Sequence, residues 1–229
     1  MSNTRFRIRF TKQGDLRWCS HRDLARAWER LLRRAQLDLA LTEGFHTRPK
    51  ISFPTALALG IESLEEYVDI ELCDAPAPES VAQSIRSQTL DGMQILEVRQ
   101  LAADEPKARI ASTDIEVDVP VSEVEIIQNR IDQMYAAGHV SFLRDGKPMA
   151  TKLGTGSLEL SLEFTRLRLK LFASPSATIR PSDVLEALGL ADIQQQGAVL
   201  QRTRIQIATD RSATNMEEDA IVSTSNDPI

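Results

Sequence analysis

A chain of 229 residues, with 42% hydrophobic and 26% charged side chains and only 10 Gly and 10 Pro, has room for two small domains, and this balance excludes collagen-like, coiled-coil and wholly disordered architectures. No window approaches the ~18–20 uninterrupted apolar residues of a membrane span, and the opening MSNTRFRIRF lacks the apolar core of a secretory signal, so a cytoplasmic location is expected. The net charge of −6 hides an asymmetry: residues 1–50 hold 12 Lys and Arg against 5 Asp and Glu (+7), leaving 15 against 28 (−13) for the rest, and such a basic block attracts phosphate or acidic protein surface.

Arg5 to Phe10 alternates strictly, Phe6, Ile8 and Phe10 against three arginines, and predicts a half-buried strand. After a turn at Lys12–Asp15, Ser20 followed by Asp23 offers a capping box for a helix through about Leu37. Its Leu24, Ala27, Trp28, Leu31 and Ala35 share one face, and Arg22, Arg26, Arg30 and Arg33 the opposite one. A Gly/Pro-punctuated loop, Glu43 to Lys50, leads to strand residues Ile51 and Phe53 and then to a second alternating strand, Tyr67–Leu72. Pro78-Glu79-Ser80 opens a helix through about Leu90, and Met93–Val98 supplies another strand, which completes a βαββαβ unit, the ferredoxin-like order.

Residues 102–113 lack apolar periodicity and read as a linker. Beyond them Asp114–Val119 alternates as a strand, Ser122 with Glu125 predicts a capping box, and Val124, Ile127, Ile131 and Met134 step along a helix closed by Gly138. Val140–Leu143 is a short strand ended by Asp145-Gly146. Leu158–Phe164 and Leu167–Leu171 alternate in opposite phase, which places a tight turn near Phe164-Thr165. Pro181 starts a helix ended by Gly189, and Val199–Ile207 is the last strand. The fold class expected is therefore α+β: two tandem ferredoxin-like domains with antiparallel sheets, residues 1–101 and 114–208, the second with an insertion, followed by a disordered acidic tail over 209–229.

Phosphate binding is the best-motivated chemistry. Arg5, Arg7 and Arg9 on one strand face, the helix row Arg22, Arg26, Arg30 and Arg33, and Arg48 with Lys50 in the loop are the expected phosphate-binding residues, provided they fold onto a common surface. Arg166, Arg168 and Lys170 repeat the pattern in the second domain and suggest one extended track. His21 and His46 could lie on the same side of the sheet and serve as general bases. Cys19, His21 and His46 have admissible ligand types, but Cys-x-His spacing is a weak motif, and neither a metal nor a cofactor is expected. Nucleotide-binding glycine loops, nucleophile elbows and His-Glu-x-x-His pairs are absent. Trp18 and Trp28 read as packing residues rather than base-stacking platforms.

Gly14 to Leu24 (Gly-Asp-Leu-Arg-Trp-Cys-Ser-His-Arg-Asp-Leu), then Glu29 to Ala35, then Glu43-Gly44-Phe45 and Pro49 to Phe53, resemble a bacterial radical-SAM-associated family of unknown function. Its members occur alone or fused behind a cobalamin-binding radical-SAM domain, and the likeness extends over nearly the whole chain. The family's loop is closer to Gly-Phe-Asn-Pro-His-Pro-Lys, so its histidine position is Arg48 here, whereas His21 matches. Two cysteines, Cys19 and Cys73, cannot supply the three clustered thiolates of a radical-SAM cluster. The resemblance thus implies an accessory role beside a radical-SAM enzyme acting on RNA. The leading expectation is an RNA- or ribonucleoprotein-binding module working with that partner. The alternatives are a metal-independent endoribonuclease, similar in outline to CRISPR repeat-processing nucleases, in which His21 or His46 deprotonates a ribose 2′-hydroxyl, and a protein-binding adaptor.

Overall fold

The computed structural model describes residues 3–144, 146–154, 156–174 and 179–208; the expected tail, 209–229, lies outside them. Strand β1 (Thr4–Lys12) buries Phe6, Ile8 and Phe10 on one side, as its alternation dictates. A 3-10 turn, Gly14–Trp18, leads into α1 (His21–Arg34), where Ser20 accepts the backbone N–H of Asp23 and donates its hydroxyl proton to the Asp23 carboxylate at 2.7 Å. Leu24, Trp28, Leu31 and Leu32 press onto the Phe6–Ile8–Phe10 side, with Trp28 edge-on to Phe10 at 4.9 Å. Fully burying each such side chain contributes about 1.5–3 kcal/mol. The remaining elements of this half are β2 (Ile51–Ser52), β3 (Glu62–Leu72), α2 (Pro78–Arg86) and β4 (Ile95–Gln100), in the sheet order β4-β1-β3-β2.

The second half repeats the plan. β5 (Ile110–Asp118), α3 (Val124–Ala137), β8 (Leu158–Glu163), β9 (Arg166–Phe172), α4 (Pro181–Ala187) and β10 (Gln201–Ile207) give the order β10-β5-β9-β8. The insertion is a separate hairpin, β6 (His139–Arg144) with β7 (Lys147–Lys152), whose second strand has no counterpart among the expected elements. Both halves thus have the ferredoxin-like strand order with helices on one face, and the fold is α+β with mostly antiparallel pairing.

The two sheets do not stand apart. β10 runs parallel to the start of β3 through Gln201 opposite Glu62 and Arg202 opposite Ser63, which makes one continuous eight-stranded sheet. Arg202 donates to Glu66 at 2.8 Å and to the main-chain oxygen of Ala56 at 3.1 Å, and the Ile205 amide donates to Glu65 at 2.9 Å. Leu57 and Ile61, from the connection before β3, are buried in the second half's core. A charged pair this deep persists because every removed partner would strand the other.

Several boundaries differ from expectation for identifiable reasons. β3 starts at Glu62 rather than Tyr67, because its polar opening residues pair with the end of β1 and with β10. α1 stops three residues short of Leu37, where Gln36 turns left-handed at φ 56°. The Ser122–Glu125 capping box does not form: Ser122 lies inside a 3-10 turn, Val121–Glu123, and no side chain caps α3. Residues 110–113, read as linker, pair within β5, and α2 ends at Arg86 rather than near Leu90. Gly138 does end α3 at φ 71°, and Phe164 at φ 55° forms the turn between β8 and β9. Gly92 is required sterically, since a Cβ there would lie 2.2 Å from the Gln13 carbonyl oxygen.

Candidate functional site

The strand arginines and the helix arginines face opposite sides of the molecule. α1 covers the Phe6–Ile8–Phe10 side of β1, so Arg5, Arg7 and Arg9 point to the open face of the sheet while Arg22, Arg26, Arg30 and Arg33 point outward from α1. The expected common surface is therefore not formed, and the reason is the layer itself: alternation sends β1's cations away from the helix that carries the others.

On the open face the cations are consumed. Arg7 is buried and donates Nε–H and Nη2–H to the two oxygens of Asp69 at 2.7 and 2.8 Å, which leaves only its Nη1 without a hydrogen bond. Arg9 lies between Glu65 and Glu97, 3.4 Å from each, Arg5 donates to the main-chain oxygen of Glu105 at 2.6 Å, and Lys50 donates to Glu71 at 2.9 Å. Burial together with the hydrogen bond it donates to Glu65 holds the Tyr67 hydroxyl protonated, its pKa pushed up to about 12. The second-half track is likewise neutralised: Arg166 pairs with Glu116 and Asp118, Arg168 with Glu116 and Glu163, and Lys170 lies 4.0 Å from Glu159.

On α1 the picture reverses. Arg22, Arg26, Arg30 and Arg33 are all exposed and fall within one stripe along about 16 Å of helix. Among the described residues only Arg26 of the four has an ionic partner, Asp23 at 3.7 Å, and both members of that pair are more than half exposed. Glu29 lies in the same stripe, half-buried, and forms no ion pair with any of them among the described residues. Arg34, next to the stripe, donates to the Gln88 carbonyl at 2.9 Å. Five arginines against Asp23 and Glu29 leave the helix at +3.

The loop before β2 is a second exposed feature. Leu41 bridges Pro49, the Thr42 amide donates to the Arg48 carbonyl at 2.8 Å, and the Arg48 amide donates to the Thr42 hydroxyl at 3.0 Å. This pins the base of the loop and leaves Phe45, His46 and Arg48 projecting, Phe45 with its ring wholly in solvent. Trp28 is core, whereas Trp18 is more than half exposed beside the Arg17 guanidinium. His21 packs edge-on against Phe53 at 5.3 Å, and no hydrogen bond or ring contact joins it to His46 among the described residues. No group of three His, Cys, Asp or Glu side chains able to hold a metal occurs among the described residues, and no helix there is long and apolar enough to cross a membrane.

Two residues of consequence, Arg99 and Glu105, were not among the expected site residues. The signal was present only as alternation in Val98-Arg99-Gln100, because cross-strand register cannot be read from one strand. Comparison with known proteins adds a family: residues 5–170 match the model of an uncharacterized protein family conserved in bacteria (DUF2344). No curated protein matches the chain. A solved structure of a proposed glycine cleavage system transcriptional repressor aligns over 91% of this chain and 100% of its own at 6% identity, with a TM-score of 0.27. At that score the likeness carries no weight, and the fold rests on the strand order itself.

Proposed function

The chain belongs to this uncharacterised bacterial family, and from that premise we propose that it is an accessory RNA-binding module that works beside a radical-SAM enzyme, with the outer face of α1 as its phosphate-reading surface. One observation carries the reading: Arg22, Arg30 and Arg33 are exposed and without a partner among the described residues, in a protein that pairs the arginines of β1, β4 and β9 with its own carboxylates or carbonyls. Unpaired guanidinium groups at a helical repeat present donors to successive phosphates without first breaking an internal bond. Phe45 and Arg48 on the loop add an aromatic face and a further cation of the kind that single-stranded RNA stacks on and pairs with. The acidic remainder of the chain, −13 outside residues 1–50, disfavours indiscriminate polyanion binding and confines the contact to this surface.

Filter binding of short single-stranded RNAs across a salt series tests this. Four phosphate contacts predict a log–log slope of about −3 for a single strand. A flat salt response, or no binding at micromolar protein, removes the RNA reading. Co-purification with a radical-SAM protein encoded beside this chain tests the partnership. Retention of that partner by a variant carrying Arg22, Arg26, Arg30 and Arg33 all as Gln, with RNA lost, assigns α1 to RNA; loss of the partner and no RNA binding in the parent assigns α1 to a protein-binding adaptor.

A further inference from the structure

The register of the first half's sheet sets two arginines side by side. Arg7 of β1 lies directly opposite Arg99 of β4, and Asp69 of β3 lies opposite Arg7 on its other flank. Asp69 serves Nε and Nη2 of Arg7 and leaves Arg99 without a carboxylate in its own row. Like charges directly opposite one another destabilise a sheet unless an anion stands over them. Here that anion comes from outside the sheet. Glu105, in the connector between the halves, accepts from Nη1 and Nη2 of Arg99 at 2.9 and 2.8 Å, and its main-chain oxygen accepts from Arg5.

The carboxylate does not reach all the donors around it. Both oxygens of Glu105 are taken by the Arg99 fork, and Arg7 Nη1 remains 3.6 Å from Glu105 Oε1, beyond hydrogen-bonding distance. Arg5 is left with a neutral peptide carbonyl. A tetrahedral phosphate monoester keeps two oxygens on the Arg99 fork, has a third for Arg7 and Arg5, and brings about −1.5 to −2 charges in place of one. A cleft of about 390 Å³ opens beside Arg5, lined also by Lys50, Lys107, Asp69 and Glu71, and gives room for the body of such a ligand.

We propose that Arg5, Arg7 and Arg99 form a phosphate-monoester site whose resident occupant is the chain's own Glu105, and that the ligand binds by displacing this carboxylate and freeing the connector from the sheet. The site lies on the face opposite α1, so it stands or fails independently of RNA binding by that helix. A tethered occupant competes at an effective concentration of about millimolar, so the parent protein binds phosphate weakly and removal of the tethered carboxylate tightens binding by about tenfold or more.

The test is calorimetric titration of the full chain with inorganic phosphate, run on the parent, Glu105→Ala and Arg99→Gln, with thermal melts to check folding. Expected are a Kd at least about tenfold lower for Glu105→Ala and no binding by Arg99→Gln. Equal phosphate affinity in parent and folded Glu105→Ala overturns the proposal, as does undiminished binding by Arg99→Gln, which decides alone if Glu105→Ala does not fold. A second arm compares 5′-phosphorylated and 5′-hydroxyl forms of one short RNA on Glu105→Ala. Preference for the phosphorylated end, reversed by adding Arg99→Gln, identifies an RNA terminus as the source, and equal binding of the two with inorganic phosphate still bound identifies a small phosphorylated molecule.

Discussion

The open faces of the two half-sheets begin from nearly the same text and end in different states. Arg5-Phe6-Arg7-Ile8-Arg9 and Arg166-Leu167-Arg168-Leu169-Lys170 both alternate cation with apolar residue on a central strand. In the second half the neighbours complete the charge balance within the sheet: Lys170 sits between Asp114 and Glu159, Arg168 beside Glu116, and Arg166 between Asp118 and Glu163. In the first half the middle row reads Asp69, Arg7, Arg99, one acid for two bases, and the deficit is met by a residue that belongs to no strand. A basic strand is therefore not a binding surface in itself; what its two neighbours bring decides whether any guanidinium remains available.

The contrast is sharpest in burial. Arg7 and Asp69 are both more than nine-tenths buried, whereas the Arg168 side chain is 46% exposed. Arg7→Ala, which strands the Asp69 carboxylate, is expected to cost about 3–5 kcal/mol in urea denaturation, while Arg168→Ala costs about 0–1 kcal/mol. Equal losses would erase the distinction between the faces. For function, replacing Arg22, Arg26, Arg30 and Arg33 by Gln is expected to lower RNA affinity about a hundredfold at low salt and flatten the salt slope by about three, whereas replacing Arg166, Arg168 and Lys170 leaves it within about twofold. If the second-half variant loses as much, paired cations bind RNA as well as unpaired ones, and the basis for choosing α1 is gone.

A smaller effect comes from Tyr67, beside the Arg9 row. Its ordinary value of 10.0 is raised to about 12, so between those pH values the unfolded chain loses the phenolic proton and the folded one keeps it. Stability is thus expected to fall as pH rises from 10 to 12, and absorbance titration of the phenolate should show one of the two tyrosines ionising late. Tyr67→Phe should flatten that decline; an unchanged slope would place its origin elsewhere.

Much of the fold was legible because its signals are local. Phe6, Ile8 and Phe10 announced β1, Ser20 with Asp23 announced the start of α1, Gly138 its counterpart's end, and the phase change at Phe164 the β8–β9 turn. What was not legible depends on pairs distant in sequence. The parallel contact of β10 with β3 spans more than a hundred residues and has only two paired positions, too few to leave a pattern in either strand. The same holds for the site: the arginine stripe on α1 could be read from helical spacing, but that Arg7 belongs to Asp69 and Arg99 to Glu105 follows from register and from the path of a connector with no periodicity.

The connector itself provides the finest discrimination between the halves. The hydrogen bonds from Arg99, with its charge and that of Arg7, pull the Glu105 carboxyl from 4.5 down to about 2. Its folded value lies below its unfolded one, so between pH 4.5 and 2 the unfolded chain binds a proton that the folded chain refuses. The stabilisation is complete above about 4.5 and disappears as pH falls towards 2. Because Glu105 is partly exposed, the expected change is modest and should shrink in high salt, as screening weakens its attraction to Arg99. Denaturation midpoints of parent and Glu105→Gln, measured from pH 6 down to pH 3, should converge as acid removes from the parent what the substitution has already removed. Parallel curves would mean that the carboxylate contributes nothing to holding the connector, and that the charge balance of Arg7 and Arg99 is met by solvent as cheaply as by the chain.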